Sequence, residues 1–167
     1  QNEYTLTLSN VYQTATCQTV KKWQYEDGAA LTPANSMGLL EGLEVSFKLQ
    51  RKFKSQAENS WQDYTLTGRE LLNGAAVSAG SEVTLTVEEL FAAGNRLNIT
   101  NLPARGMNGL QEEELEYRVR ETGISKNGTL LQNGIFKDTV YTGNQIVNTA
   151  ATRYLFVQKI WEDGDNQ

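Results

Sequence analysis

The chain has 167 residues, 39% hydrophobic and 21% charged, with a net charge of −5 and a pI near 4.9; this suits one packed domain with pieces of neighbours and argues against nucleic acid or an anionic membrane as partner. It contains no His and a single Cys, Cys17, which excludes Ser-His-Asp and Cys-His catalytic centres, Cys/His zinc sites and an internal disulfide framework. No run of about 18 apolar residues is present to span a membrane as a helix, and a chain opening QNEYTL without Met reads as a fragment of a longer protein.

In chain order, strands are predicted over 4–12 (YTLTLSNVY), 19–23 (TVKKW), 43–53 (LEVSFKLQRKF) and 63–68 (DYTLTG). A short helix follows at 68–72 (GRELL), then a strand at 81–87 (SEVTLTV), a second short helix at 88–93 (EELFAA) and a strand at 96–102 (RLNITNL). GMNG (106–109) predicts a turn, LEYRVRE (115–121) a strand, SKNG (125–128) a turn, and NQIVNT (144–149) and YLFVQKIW (154–161) the last two strands. Each strand segment is rich in Val, Thr, Tyr, Leu and Ile, often alternates in polarity, and ends in Gly, Asn, Asp or Ser. Many short strands with two short helical insertions indicate an all-β fold, an Ig-like or prealbumin-like antiparallel β-sandwich.

The chain repeats itself near its end. TVKKWQYEDG (19–28) and FVQKIWEDGD (156–165) both carry a Lys two residues before a Trp, ahead of an acidic turn. One offset, 138 positions, takes Asn10 to Asn148, Lys21 to Lys159 and Trp23 to Trp161. A shared offset for three separated residues indicates a tandem array. On this reading 1–16 is the last strand of a preceding repeat plus a linker, 17–153 is one complete domain, and 154–167 is the first strand of a following repeat; Cys17, at the junction, reads as an ordinary linker cysteine.

Alternation also assigns faces, because residues two apart in a strand share one. Thr19, Lys21 and Trp23 share a face. So do Tyr117, Val119 and Glu121, and again Ile146, Asn148 and Ala150. Three strands thus each set one polar group on a face that should be buried. Burial of a charge is costly unless it is paired. A buried Lys–Glu pair with Asn as hydrogen-bond partner, or a snorkelling Lys on a partly exposed strand, are the plain readings of the pattern.

The same motifs resemble a known family. TVKKWQYEDG, LEVSFKLQR, NITNLP followed by GMNG and LEYRVRET, and IVNT, in that order, are similar to the B-type repeat of collagen adhesins on Gram-positive cell surfaces (Cna B-like domains). YRVRET resembles the E-box of pilin subunits. The resemblance runs from about 19 to 150. It implies an intramolecular isopeptide bond between a first-strand Lys and a last-strand Asn, assisted by an acid from a strand between them. Carried over by position, these are Lys21, Asn148 and Glu121, with Lys22 as the rival to Lys21. Asn10 and Lys159 would crosslink within the neighbouring repeats. GISKNG after Glu121 departs from the E-box pattern, and 54–80 and 122–143 are additions.

The resemblance further implies a structural stalk module of an adhesin or pilus, extracellular on the bacterial cell surface in a cell wall-anchored parent. It implies no cofactor, no metal and no enzymatic turnover beyond one self-crosslinking event. The partners are adjacent repeats and, for the parent protein, a host surface ligand. The alternative is an adhesive module of the same fold that uses 54–80 and 122–143 to hold a ligand.

Overall fold

A computed structural model of the protein describes residues 2–5, 12–131 and 134–151. Its strands are β1 (Thr14–Tyr25), β2 (Leu43–Phe53), β3 (Gln62–Tyr64), β4 (Leu71–Leu72), β5 (Ala75–Ala76) and β6 (Val83–Thr86), then β7 (Arg96–Pro103), β8 (Arg105–Asn108), β9 (Gln111–Lys126), β10 (Thr129–Leu130), β11 (Val140–Thr142) and β12 (Gln145–Ala150). One short helix, α1 (Val87–Ala92), follows β6, and a single 3-10 turn spans Glu58–Ser60. The fold is an all-β sandwich. One sheet has the order β11-β12-β1-β7-β4-β5; the other runs β10-β9-β2-β3, with β6 also on β2 and β8 also on β9.

The core forms where the alternating apolar faces of the two sheets meet. Leu43, Val45, Phe47, Leu49 and Val119 come from one sheet, and Trp23, Leu97, Ile99, Leu102, Ile146 and Ala150 from the other. Leu31, Leu39 and Leu40 from the loop after β1, and Val87 and Leu90 from α1, close its margins. Burying each such side chain is worth about 1.5–3 kcal/mol. The pairing of β1 with β12 is parallel, whereas every other pairing among the described residues is antiparallel. The first and last strands of the unit therefore lie side by side and run the same way.

Several expectations shift. GRELL is no helix: Glu70 is captured by Tyr64 and by the turn at Thr67 and Gly68, and Leu71 and Leu72 pair with Thr100 and Ile99 of β7. Gly106 to Asn108 are not a turn but most of β8, and the reversal falls at Gly109 and Leu110. SKNG turns only at Asn127-Gly128, which, like Asn73-Gly74 between β4 and β5, has positive φ at both residues, as a two-residue hairpin of this hand requires. EELFAA is helical, started by Thr86, whose hydroxyl accepts from the Glu89 N–H while Glu89 caps in return. Cys17 is not a linker residue. It lies within β1 and is buried, and burial pushes its thiol pKa up. Thr14 and Ala15, placed by the sequence in the linker, already pair with Pro103 and Leu102. Most of the predicted strand at 4–12, with Asn10, and all of 154–161, with Lys159 and Trp161, lie outside the described residues.

Candidate functional site

Three elements carry the three inward polar groups. In β1, Cys17, Thr19, Lys21 and Trp23 all face the core, and Lys22 is exposed on the other face. This separates the two rival lysines. In β12, Ile146 and Asn148 face the same core, in register with Lys21 and Trp23 respectively. Lys21 and Asn148 are thus diagonal neighbours on adjacent parallel strands, within reach of a long side chain.

Glu121 comes from the opposite sheet. Val119 pairs with Leu49 and Glu121 with Phe47, both on the core face. Thr122 is then an extra residue: Ser46 pairs with Gly123 and Val45 with Ile124. Such a bulge bends a strand and re-aims its side chains. It leaves Glu121 as the last odd-numbered core-facing residue of β9, leaning across to β1 and β12. The outer edge of β9 has no strand partner here among the described residues, between Glu114 and Ser125. Tyr141 of β11 fills in: its hydroxyl accepts from the Glu121 N–H at 3.1 Å and donates to the Glu121 carbonyl at 3.4 Å.

The three side chains meet. The Lys21 Nζ lies 3.1 Å from Glu121 Oε2, with side chains 0% and 4% exposed. Asn148 Nδ2 donates to Glu121 Oε1 at 3.0 Å and to Thr139 Oγ1 at 3.2 Å, and Thr139 Oγ1 donates to the same Oε1 at 3.1 Å. One carboxyl therefore presents one oxygen to an amine and the other to an amide. The Nζ–Oε2 contact lacks the alignment of a hydrogen bond, and neither atom has another partner. Asn148 Oδ1 and the Trp23 indole N–H are likewise buried without partners. The Lys21 Nζ also stands 4.0 Å over the Trp23 ring, whose other neighbour is Phe136 at 5.5 Å. Burial holds the Lys21 pKa down to about 8; the Glu121 carboxylate acts against burial without cancelling it.

Other buried ionisable groups behave differently. Glu70 takes hydrogen bonds from the Tyr64 hydroxyl (2.7 Å), the Thr67 and Gly68 N–H groups (2.9 and 3.1 Å) and the Thr67 hydroxyl. Lys52 donates to the Gln56 carbonyl and pairs with Glu116, both at 3.0 Å. These are satisfied groups. Among the described residues, four of the five unpartnered buried side-chain polar atoms belong to Lys21, Trp23, Glu121 and Asn148; the fifth is on Asn95. Native interiors pair such atoms almost without exception, so their concentration marks this spot. No three His, Cys, Asp or Glu side chains gather among the described residues to hold a metal ion.

Sequence reasoning missed Thr139 and Tyr141, which sit inside a segment it treated as an addition. The signal was there: Thr139-Val-Tyr-Thr ahead of Gly143-Asn144 is a strand-and-turn pattern. A cleft of about 270 Å³, lined in part by Glu121, Phe136, Thr139 and Asn148, connects the cluster to the surface.

No family model, no curated protein and no solved structure matches the chain.

Proposed function

We propose that the chain is a structural module of a tandem-repeat cell-surface adhesin or pilus, in which Lys21 and Asn148 join in a spontaneous isopeptide bond assisted by Glu121. The observation that carries this reading is the buried cluster itself: an amine and a side-chain amide on neighbouring strands, each against one oxygen of the same carboxyl, with polar valences left unspent. The resemblance to Cna B-like repeats supports it.

The chemistry balances on these residues alone. The ion pair shares one proton, and its neutral tautomer is a free amine beside a protonated carboxyl. The Lys21 Nζ attacks Asn148 Cγ. The protonated Glu121 carboxyl gives its proton to Nδ2 as that nitrogen leaves and takes the proton that Nζ sheds on becoming an amide, so it ends as it began. The Cγ–Nδ2 bond breaks and ammonia leaves. In these contacts Oε1 faces Nδ2, the nitrogen that leaves. Folding supplies the proximity, which is worth roughly 7–11 kcal/mol of barrier for well-placed groups. The event happens once per chain and is not turnover.

Intact mass tests the reading. The folded chain should weigh about 17 Da less than its sequence, for one ammonia lost in acyl transfer, and digestion should yield a branched Lys21–Asn148 peptide. A full-sequence mass and no branched peptide would end the proposal.

The adhesive alternative has one observation on its side. A cleft of about 670 Å³, lined by Leu72, Ala76, Val77 and Leu85 among others, lies beside β5 and α1 and takes in part of 54–80. Screening the module against glycans and host surface proteins separates the readings, since a stalk module binds none.

A further inference from the structure

Resting on that reading, we infer that Thr139 is a positioning residue for the crosslink: its hydroxyl fixes which end of the Asn148 amide faces Glu121. An Asn side chain can turn its amide over, which exchanges Nδ2 and Oδ1. Glu121 Oε1 alone does not choose between them, because a carboxylate oxygen accepts from Nδ2 whereas a protonated one donates to Oδ1. The Thr139 hydroxyl adds a second acceptor beside the carboxylate oxygen and so reinforces the choice of Nδ2. It has one proton and gives it to Oε1 at 3.1 Å, so toward Asn148 it offers a lone pair, and only Nδ2 at 3.2 Å can use it. The three atoms form a closed triangle with the 3.0 Å Nδ2–Oε1 bond. The nitrogen that must leave is thereby pinned to the carboxyl that must protonate it. With Oε1 already accepting two hydrogen bonds, Oε2 is left clear for the proton from Lys21.

The backbone is shaped for this. Phe136 bridges to Ala150, and Val140 pairs with Val147. Residues 137–139 therefore stand against only Asn148 and Thr149, an irregularity of one extra residue. A regular ladder would put a side chain directly opposite Asn148. The extra residue instead lets Thr139 lean inward, as the bulge at Thr122 does for Glu121.

The test follows crosslinking over time by intact mass in chains made by cell-free translation: wild type, Thr139→Val, Thr139→Ser and Thr139→Ala. Val keeps the shape and removes the hydroxyl; Ser keeps the hydroxyl. We expect wild type and Thr139→Ser to lose about 17 Da, one ammonia, at similar rates. Thr139→Val and Thr139→Ala should close about five- to thirtyfold more slowly, the range for one or two lost hydrogen bonds. Circular dichroism and melting of each chain report on folding. A Thr139→Val chain that closes at the wild-type rate overturns the inference. So does a Thr139→Ser chain as slow as Val, or a rate that tracks melting temperature and not the hydroxyl. A wild type that never loses mass removes the parent reading, and this inference with it, independently of any Thr139 variant.

Discussion

At the scale of single residues, the site turns on where one proton sits. The buried Lys21–Glu121 pair holds it either as ammonium and carboxylate or as amine and acid. Solvent pH does not change the ratio of those two tautomers while the pair keeps its proton. The pair loses that proton as pH rises through the Lys21 pKa of about 8. Crosslinking should therefore be level below about pH 7, fall to about half at pH 8 and fall about tenfold by pH 9, one unit beyond the pKa. An exposed lysine would do the opposite and speed up toward pH 10.5. Time courses by mass at pH 7, 8 and 9 decide between them; a rate that climbs across this range rules out Glu121 as the acid. The stability of the open form carries the reverse sign. In Asn148→Ala, which cannot close, Lys21 binds its proton less tightly folded than unfolded. The cost, about 3 kcal/mol, is fully present below pH 8 and is relieved as pH rises toward 10.5. The closed protein has an amide there and should show no such rise. Denaturant midpoints of Asn148→Ala and wild type between pH 7.5 and about 10 check both statements.

At the scale of elements, buried polar residues divide into those that shape the chain and those that, on the proposed reading, react. Glu70 belongs to the first kind. Burial works to raise its pKa, but the Tyr64 hydroxyl and the N–H groups at the Thr67 turn outweigh burial and hold it below the ordinary value. Its contribution is present above the usual carboxyl pKa and is lost as pH falls through the depressed one. Glu70→Ala strands the Tyr64 hydroxyl and two N–H groups. It should cost about 2–4 kcal/mol in denaturant melts and leave the mass deficit intact. Glu121→Ala should behave the other way: a folded chain of full mass. Should Glu121→Ala still crosslink at the normal rate, the acid is another residue.

The same division explains what could be read without coordinates. Lys21, Glu121 and Asn148 were legible because each is the one charged or amide side chain on a largely apolar strand face, and period-2 alternation up to that residue suffices to see it. β2 was legible to the residue for the same reason. Thr139 was not, because its strand loses phase opposite Asn148, and alternation carries no information across a bulge. GRELL read as a helix because propensity sees Glu and Leu, and cannot see that Tyr64 and Thr67 hold the carboxylate of Glu70. The GMNG reversal moved because Gly109 supplies the positive φ, whereas Gly106 is a strand residue at which a Cβ would come within 3.3 Å of the Phe53 and Leu115 side chains.

At the scale of the molecule, the parallel neighbours β1 and β12 set how force crosses the module. Tension enters at the N-terminal end of β1 and leaves at the C-terminal end of β12, so it shears that pair along its length. In the open form only the backbone hydrogen bonds of the ladder resist. A Lys21–Asn148 bond lies across the same pair, so tension passes from Lys21 to Asn148 and bypasses everything folded between them. Such a bond would close a loop of roughly 130 residues, which by chain entropy would add about 5 kcal/mol of stability. Every described strand lies between Thr14 and Ala150, so removing 1–12 and 152–167 should leave a folded chain with its mass deficit; an unfolded product would mean that the repeat boundaries are misplaced. Pulling gives the sharper test. Held by its two ends, Asn148→Ala should release its hidden chain in one event of roughly 400 Å, at about 3.3–3.6 Å per residue. The wild-type module should show no such step before its covalent attachments fail. A wild-type trace with the full-length step would mean that no bond spans β1 and β12, however closely Lys21, Glu121 and Asn148 approach.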